Sequence, residues 1–199
     1  MFIPQDHYFK KAKEKWFKAR SAFKLEEIND KFKIFDKTTK NILDIGCAPG
    51  SRIQYSYWQM VKYNVKNYKI IWFDIKDVDL NLPWIVTYNQ DITDQEKVKE
   101  ILEKNQIEKI DLLLSDMAPN TIWYKDIDAI RSFQLLNQLF RIYKDVLKPT
   151  GKLVIKLFMW PGFDKFIFEL KKIFGWKVIK TYKPASCRKE SKEIYVIKC

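Results

Sequence analysis

The chain has 199 residues and a formal net charge of +12, from 37 Lys and Arg against 25 Asp and Glu. With 47% hydrophobic residues and only 5 glycines it holds enough apolar material for one well-buried domain, which excludes fibrous and disordered classes. No apolar run approaches the roughly 20 residues of a membrane span, and the basic balance favours a polyanionic partner, nucleic acid ahead of anionic membrane.

The start, "MFIPQDHYFKKAKEKW", lacks a continuous apolar stretch and does not read as a secretory signal. Residues 1–40 read as a basic helical extension packed on a single domain that spans 1–199. Within it, Phe9, Trp16, Phe23 and Ile28 recur at helical spacing between lysines. A break is expected near Arg20, with Ser21 capping a second helix.

From Asn41 the pattern changes to short apolar runs alternating with amphipathic stretches. "NILDIG" (41–46), "KIIWFD" (69–74), "WIVTYNQD" (84–91), "KIDLLLSD" (109–116) and "GKLVIKLF" (151–158) read as strands. Helices are expected over 51–64, over 94–105 with Asp94 as cap, over 128–147 and over 162–174. "WKVIKTY" (176–182) and "KEIYVIKC" (192–199) then follow as two strands with no helix between them. The alternation predicts an α/β fold, a mostly parallel seven-stranded sheet with helices on both faces. The helix-free last connection makes one strand antiparallel, inserted at the sheet edge.

Cys47, Cys187 and Cys199 are odd in number and widely spaced, as expected of a reducing, intracellular compartment. His7 is the sole histidine, so a zinc site or a His-activated nucleophile lacks its parts, and no metal is expected.

Ligands of open α/β sheets sit at the carboxyl ends of the strands. Those ends carry the turn Gly46, Cys47, Ala48, Pro49 and Gly50, then Asp74, Asp91, Asp116 and Lys156. The turn reads G-x-x-x-G, which does not spell a pyrophosphate grip. So many carboxylates would repel a phosphate-bearing cofactor. They suit one with a nucleoside at one end and a cation at the other, such as S-adenosylmethionine. Asp74 is placed for ribose hydroxyls and Asp91 for an adenine amino group. Any one of these acids is explained as well by helix capping; the set is not.

The motifs "SAFKL", "LDIGCAPGS.IQ", "SDMAPN", "VIKLF..PGFD" and "RKESKEIY", in this order over residues 18–198, resemble the FtsJ/RrmJ family of RNA 2′-O-methyltransferases. Through "SDMAPN" and "KP.SCRKESKEIY" the likeness is to its ribosomal-RNA branch, which includes mitochondrial members. The resemblance implies a Rossmann-like class I methyltransferase, a monomer, that uses S-adenosyl-L-methionine to methylate a ribose of large-subunit ribosomal RNA, expected to be a uridine. It implies a catalytic tetrad of Lys24, Asp116, Lys156 and Glu193, and cofactor contacts from Gly46 to Gly50, Arg52, Asp74, Asp91 and Asp116. Arg52 stands where the family usually carries tryptophan. Its side chain is expected to turn outward toward RNA, leaving its backbone near the cofactor.

Lys156 is the expected proton acceptor for the ribose hydroxyl, with Asp116 positioning it and Lys24 and Glu193 orienting the ribose. Lys10, Lys11, Lys13, Lys15, Lys18, Arg52, Arg188 and Lys189 are candidate phosphate contacts, which give affinity and salt dependence with little sequence information. The same chemistry on a tRNA or an mRNA cap is the nearest alternative. A non-catalytic RNA-binding assembly factor would not need the tetrad, and an NAD-dependent oxidoreductase lacks its glycine fingerprint.

Overall fold

In the computed structural model, residues 12–46, 48–74, 82, 85–117, 143–159, 162–188 and 190–199 are described. The apolar runs pair into one seven-stranded sheet: β1 (Asn41–Ile45), β2 (Lys69–Asp74), β3 (Ile85–Asn89), β4 (Ile110–Ser115), β5 (Leu147–Phe158), β6 (Ile179–Tyr182) and β7 (Glu193–Lys198). Their order is β3-β2-β1-β4-β5-β7-β6. The first five run parallel, and β7 is antiparallel to both neighbours. The antiparallel strand therefore lies one place inside the edge that β6 forms. Helix α1 (Ser21–Phe32) precedes β1, and α2 (Ser51–Lys62), α3 (Gln95–Lys104) and α4 (Phe163–Phe174) run between later strands.

Side chains alternate across the sheet. Leu43, Ile71, Phe73, Leu113, Leu153 and Ile155 pack toward α3 and α4. Ile42, Ile70, Trp72, Leu112, Leu114, Val154 and Tyr195 pack toward α1 and α2, together with Ala22, Phe23, Ile28, Ile53 and Tyr55. Asn29 of α1 ties this layer by accepting from Phe35 N–H at 3.0 Å and reaching Tyr55 Oη at 3.2 Å.

Several boundaries differ from the sequence reading. Asp94 caps α3 as expected, accepting from Lys97 N–H at 3.1 Å. Ser21 does not cap α1: Arg20 holds the cap position without a side-chain bond, and Ser21 Oγ instead meets Ser51 Oγ at 2.6 Å. The apolar spacing also slips by one residue. Trp16 adopts a positive φ of 61° and is 85% exposed, while Phe17 takes the buried position. β5 begins at Leu147, earlier than read, and β6 begins at Ile179 after a turn that exposes Trp176. The helix expected over 128–147 falls largely outside the described residues, as do Cys47, Lys10, Lys11 and Lys189.

The turn after β1 is wedged between two strands. Gly46 N–H bonds Phe73 O and Asp116 N–H bonds Ile45 O, each at 2.9 Å, so the ladders continue into the turn. Gly46 has φ +67°, and a Cβ there would lie 2.9 Å from Met117 Cγ, 3.0 Å from its N and 3.1 Å from its Cα. Gly46→Ala is expected to cost about 2 kcal/mol or more in denaturant unfolding, from left-handed strain plus overlap with backbone. Met117→Ala removes only the Cγ contact and should not rescue it. Full rescue would show that the backbone approach is not the constraint.

Candidate active site

The alternation that builds the core also builds the site. Asp44, Asp74, Asp116 and Lys156 each lie two residues beyond Ile42, Trp72, Leu114 and Val154, residues that pack on the α1/α2 face. Period-two geometry puts the four polar side chains on that same face, where the parallel strands end. Antiparallel β7 enters from this end. Lys156 pairs with Tyr195 and Phe158 with Glu193, so Glu193 joins the face at its first residue. Lys24, in the first turn of α1, arrives from above.

These side chains form two ion pairs. Lys156 Nζ lies 2.8 Å from Asp116 Oδ1 and donates to the Asp116 main-chain oxygen at 2.7 Å. Lys24 Nζ donates to Glu193 Oε1 at 2.6 Å, and Tyr195 Oη donates to the same oxygen at 2.7 Å. Lys24 and Glu193 are only 8% and 7% exposed. A pair so buried persists because each charge satisfies the other, and removing one partner leaves an uncompensated ion. Burial first, then the Asp116 and Glu193 carboxylates, push the Tyr195 phenol well above its ordinary value. It therefore stays a donor to Glu193.

Arg52 does not turn outward. It is 5% exposed, ion-pairs with Asp44, and donates to the carbonyls of Ile45 at 3.1 Å and Gly46 at 3.2 Å. The expectation of an RNA-facing side chain is thus corrected. A carboxylate buried inside β1 draws the guanidinium under the glycine turn, where it braces the two carbonyls that shape the turn. Its charge reaches further. Burial acts most strongly on Asp116 and would raise its carboxyl, but the Arg52, Lys156 and Lys24 cations together outweigh it and hold Asp116 below its ordinary value. Burial pushes Asp44 itself up to about 7, against the pull of Arg52 and with the help of the Asp116 and Asp74 carboxylates.

The residues expected to hold a cofactor separate into two groups. Gly46, Ala48, Pro49 and Gly50 form the turn above Arg52. Asp74 Oδ2 accepts from Ala48 N–H at 2.8 Å, so this acid shapes the turn from the neighbouring strand. Asp91 lies past the end of β3, exposed, accepting from Thr93 N–H and Oγ1 at 2.8 Å each. The carboxylates at the turn suit a positively charged nucleoside and disfavour a phosphate group. Among the described residues no cluster of His, Cys, Asp and Glu is arranged for a metal, and no helix is long and apolar enough to cross a membrane.

The model of the FtsJ-like methyltransferases matches residues 17–198, almost the whole chain. The chain belongs to this family. A ribosomal RNA large subunit methyltransferase E of Desulfatibacillum aliphaticivorans is 40% identical over 197 residues, covering 97% of this chain and 89% of that protein. The protein of that name from Bdellovibrio bacteriovorus is 37% identical, covering 98% of this chain and 96% of its own length. Among solved structures, one from Plasmodium falciparum assigned as a ribosomal RNA methyltransferase aligns with a TM-score of 0.74 and 28% identity, over 92% of this chain and 97% of that one. Human methyltransferase-like protein 13, solved with SAH, shares the class I methyltransferase fold at 12% identity and a TM-score of 0.54, over 89% of this chain and 81% of that one.

In this FtsJ-like methyltransferase, sequence reasoning passed over Asp44 and Tyr195. Both had a signal. Asp44 breaks an otherwise apolar strand on the same parity as Ile42, and Tyr195 shares the parity of Glu193 two positions away.

Asp44 yields a prediction with a definite sign. Its folded value is raised, so its contribution to stability is fully present below the unfolded value of about 3.9 and is lost as pH rises through about 7. Arg52→Met removes the cation that pulls this value down. The gap in unfolding free energy between parent and variant should therefore widen above pH 7, by up to about 1.4 kcal/mol per pH unit. Denaturant titrations at several pH values measure it, and adding Asp44→Asn should flatten the dependence. A gap that is constant with pH would show that Asp44 is not the group responsible.

Proposed function

We propose that this protein transfers a methyl group from S-adenosylmethionine to a ribose 2′-hydroxyl of large-subunit ribosomal RNA, with a uridine as the target nucleoside. The observation that carries this reading is the convergence of Lys156–Asp116 and Lys24–Glu193 on one sheet face, at the carboxyl edge beside the glycine turn. The names borne by the relatives point to the same substrate class. Simple binding of RNA needs neither a buried lysine–glutamate pair nor a lysine held by an aspartate at a strand end.

When bound, S-adenosylmethionine supplies a methyl carbon made electrophilic by positive sulfur. The chain does the rest. The turn from Gly46 to Gly50, with Asp74 behind it, holds the nucleoside end, and Asp91 lies beyond β3 for the base. Asp116, kept ionised by the cations around it, faces the positive end of the donor. A ribose hydroxyl is a weak nucleophile and must lose its proton as the new bond forms. Lys156 takes that proton, and the amine must reach the hydroxyl in its neutral form to do so. Asp116, through both its carboxylate and its carbonyl oxygen, fixes where Nζ stands. Lys24 and Glu193, braced by Tyr195, orient the sugar so that the reacting atoms are aligned.

The test is methylation of large ribosomal subunits and of their naked RNA with a radiolabelled methyl donor. Label is expected in the large-subunit RNA. Lys156→Ala should lower the rate by about 100-fold or more while donor affinity stays within a few-fold. Turnover preserved in that variant would remove Lys156 as proton acceptor, and label confined to tRNA or a capped mRNA would move the substrate.

A further inference from the structure

The surface that leads away from the tetrad carries two large aromatic side chains that the fold leaves open to solvent. Trp16 is 85% exposed and Trp58 46% exposed. They belong to one continuous surface. Gln54, in the first turn of α2, donates to Trp16 O at 3.1 Å and accepts from Lys18 N–H at 2.8 Å. Trp58 lies one turn further along α2, so it shares the face of Gln54. Its ring packs 4.8 Å from Phe17, the residue next to Trp16. Phe17 and Gln54 thus tie the Trp58 ring and the main chain of Trp16 to a common support.

The path from this support to the tetrad is short and basic. Residues 16–20 run directly into α1, where Ser21 touches Ser51 at the head of α2 and Lys24 lies one turn on. Lys13, Lys18 and Lys62 are exposed along this surface, with Arg20 half-buried among them and Glu14 the one exposed acid between Ala12 and Arg20. Lys15, half-buried, pairs with Glu26 at 3.1 Å. A flat aromatic face beside spaced cations matches a nucleic-acid strand whose bases are unpaired. The π-face of each base can stack on indole while its phosphate meets an ammonium group. A protein partner would gain little from these cations, and a duplex could not present its bases to the rings.

We propose that Trp16 and Trp58 form a stacking platform for unpaired nucleotides that flank the methylated ribose, with Lys18 and Arg20 engaging the intervening phosphates. This rests on the RNA reading above and adds to it the class of RNA segment that docks: single-stranded, and read by stacking with no sequence code. The platform would hold the strand by its neighbours while the target sugar lies against Lys24 and Glu193.

The experiment measures binding of a fluorescently labelled, unstructured oligouridine to the full chain, without methyl transfer. Trp16→Ala is expected to weaken binding about tenfold, and Trp58→Ala by a similar factor, while Trp16→Phe keeps most of the affinity. Because an indole displaces no counterions, the salt dependence should be unchanged in the tryptophan variants and shallower in Lys18→Ala. Trp16 makes so little contact with the core that Trp16→Ala reports on docking even if Trp58→Ala, which loses the Phe17 contact, folds poorly. Unaltered S-adenosylmethionine binding in Trp16→Ala confirms an intact site. If the parent binds and the Trp16→Ala variant binds within twofold of it, the platform is refuted and the face belongs to a protein partner or a second copy. If the parent does not bind the strand at all, the platform falls. If the strand binds through the indoles but ribosomal RNA is never methylated, the platform stands and the catalytic reading falls.

Discussion

Lys156 grips Asp116 at both its carboxylate and its main-chain oxygen, and the site depends on that double hold. β4 ends at Ser115, so nothing in the ladder itself would fix the next residue's side chain. The N–H of Asp116 is tied to Ile45 O on one side and its two oxygens to Lys156 on the other. The end of β4 is thereby clamped between β1 and β5. A carboxylate that would otherwise be costly to bury is kept charged and aimed along the cleft. The Lys24–Glu193 pair then stands on the far side of the same face, carried by an antiparallel strand whose first residue is the glutamate. Because β7 runs antiparallel to β5, its first residue and not its last is the one that reaches the cleft.

Arg52 shows how one buried charge organises several neighbours. A cation in the first turn of a helix opposes the helix dipole, and here Asp44 directly beneath it offsets that cost. The guanidinium then satisfies the Ile45 and Gly46 carbonyls. Ile45 O thus accepts from both Arg52 and Asp116, which couples the shape of the glycine turn to the position of the acid across from it. Where the family usually places an apolar tryptophan, this chain has an electrostatic brace.

Much of this was legible in the sequence because it follows from local rules. The five parallel strands and the strand-end position of the acids come from apolar runs alternating with amphipathic stretches, and the Asp94 cap from an acid placed just ahead of one such stretch. The tetrad residues were legible through motif order, since Lys24 and Glu193 are separated by most of the chain and no spacing rule joins them. What escaped the reading depended on partners distant in sequence or on a single backbone torsion. Arg52 was expected outside because a cation beside a cationic cofactor would be poorly placed, and its buried partner Asp44 went unweighed. Trp16 was expected inside because the helical register was carried through a residue with positive φ. Ser21 was expected to cap α1, but its hydroxyl is engaged by Ser51 of another helix.

The central claim is that these side chains activate a sugar hydroxyl. It is tested most directly by replacing the target nucleotide, in an otherwise identical RNA substrate, with its 2′-deoxy counterpart and measuring methyl transfer. The account predicts that transfer at that position disappears while the RNA still binds. Methylation that persists on the deoxynucleotide would place the reaction on the base and contradict the account.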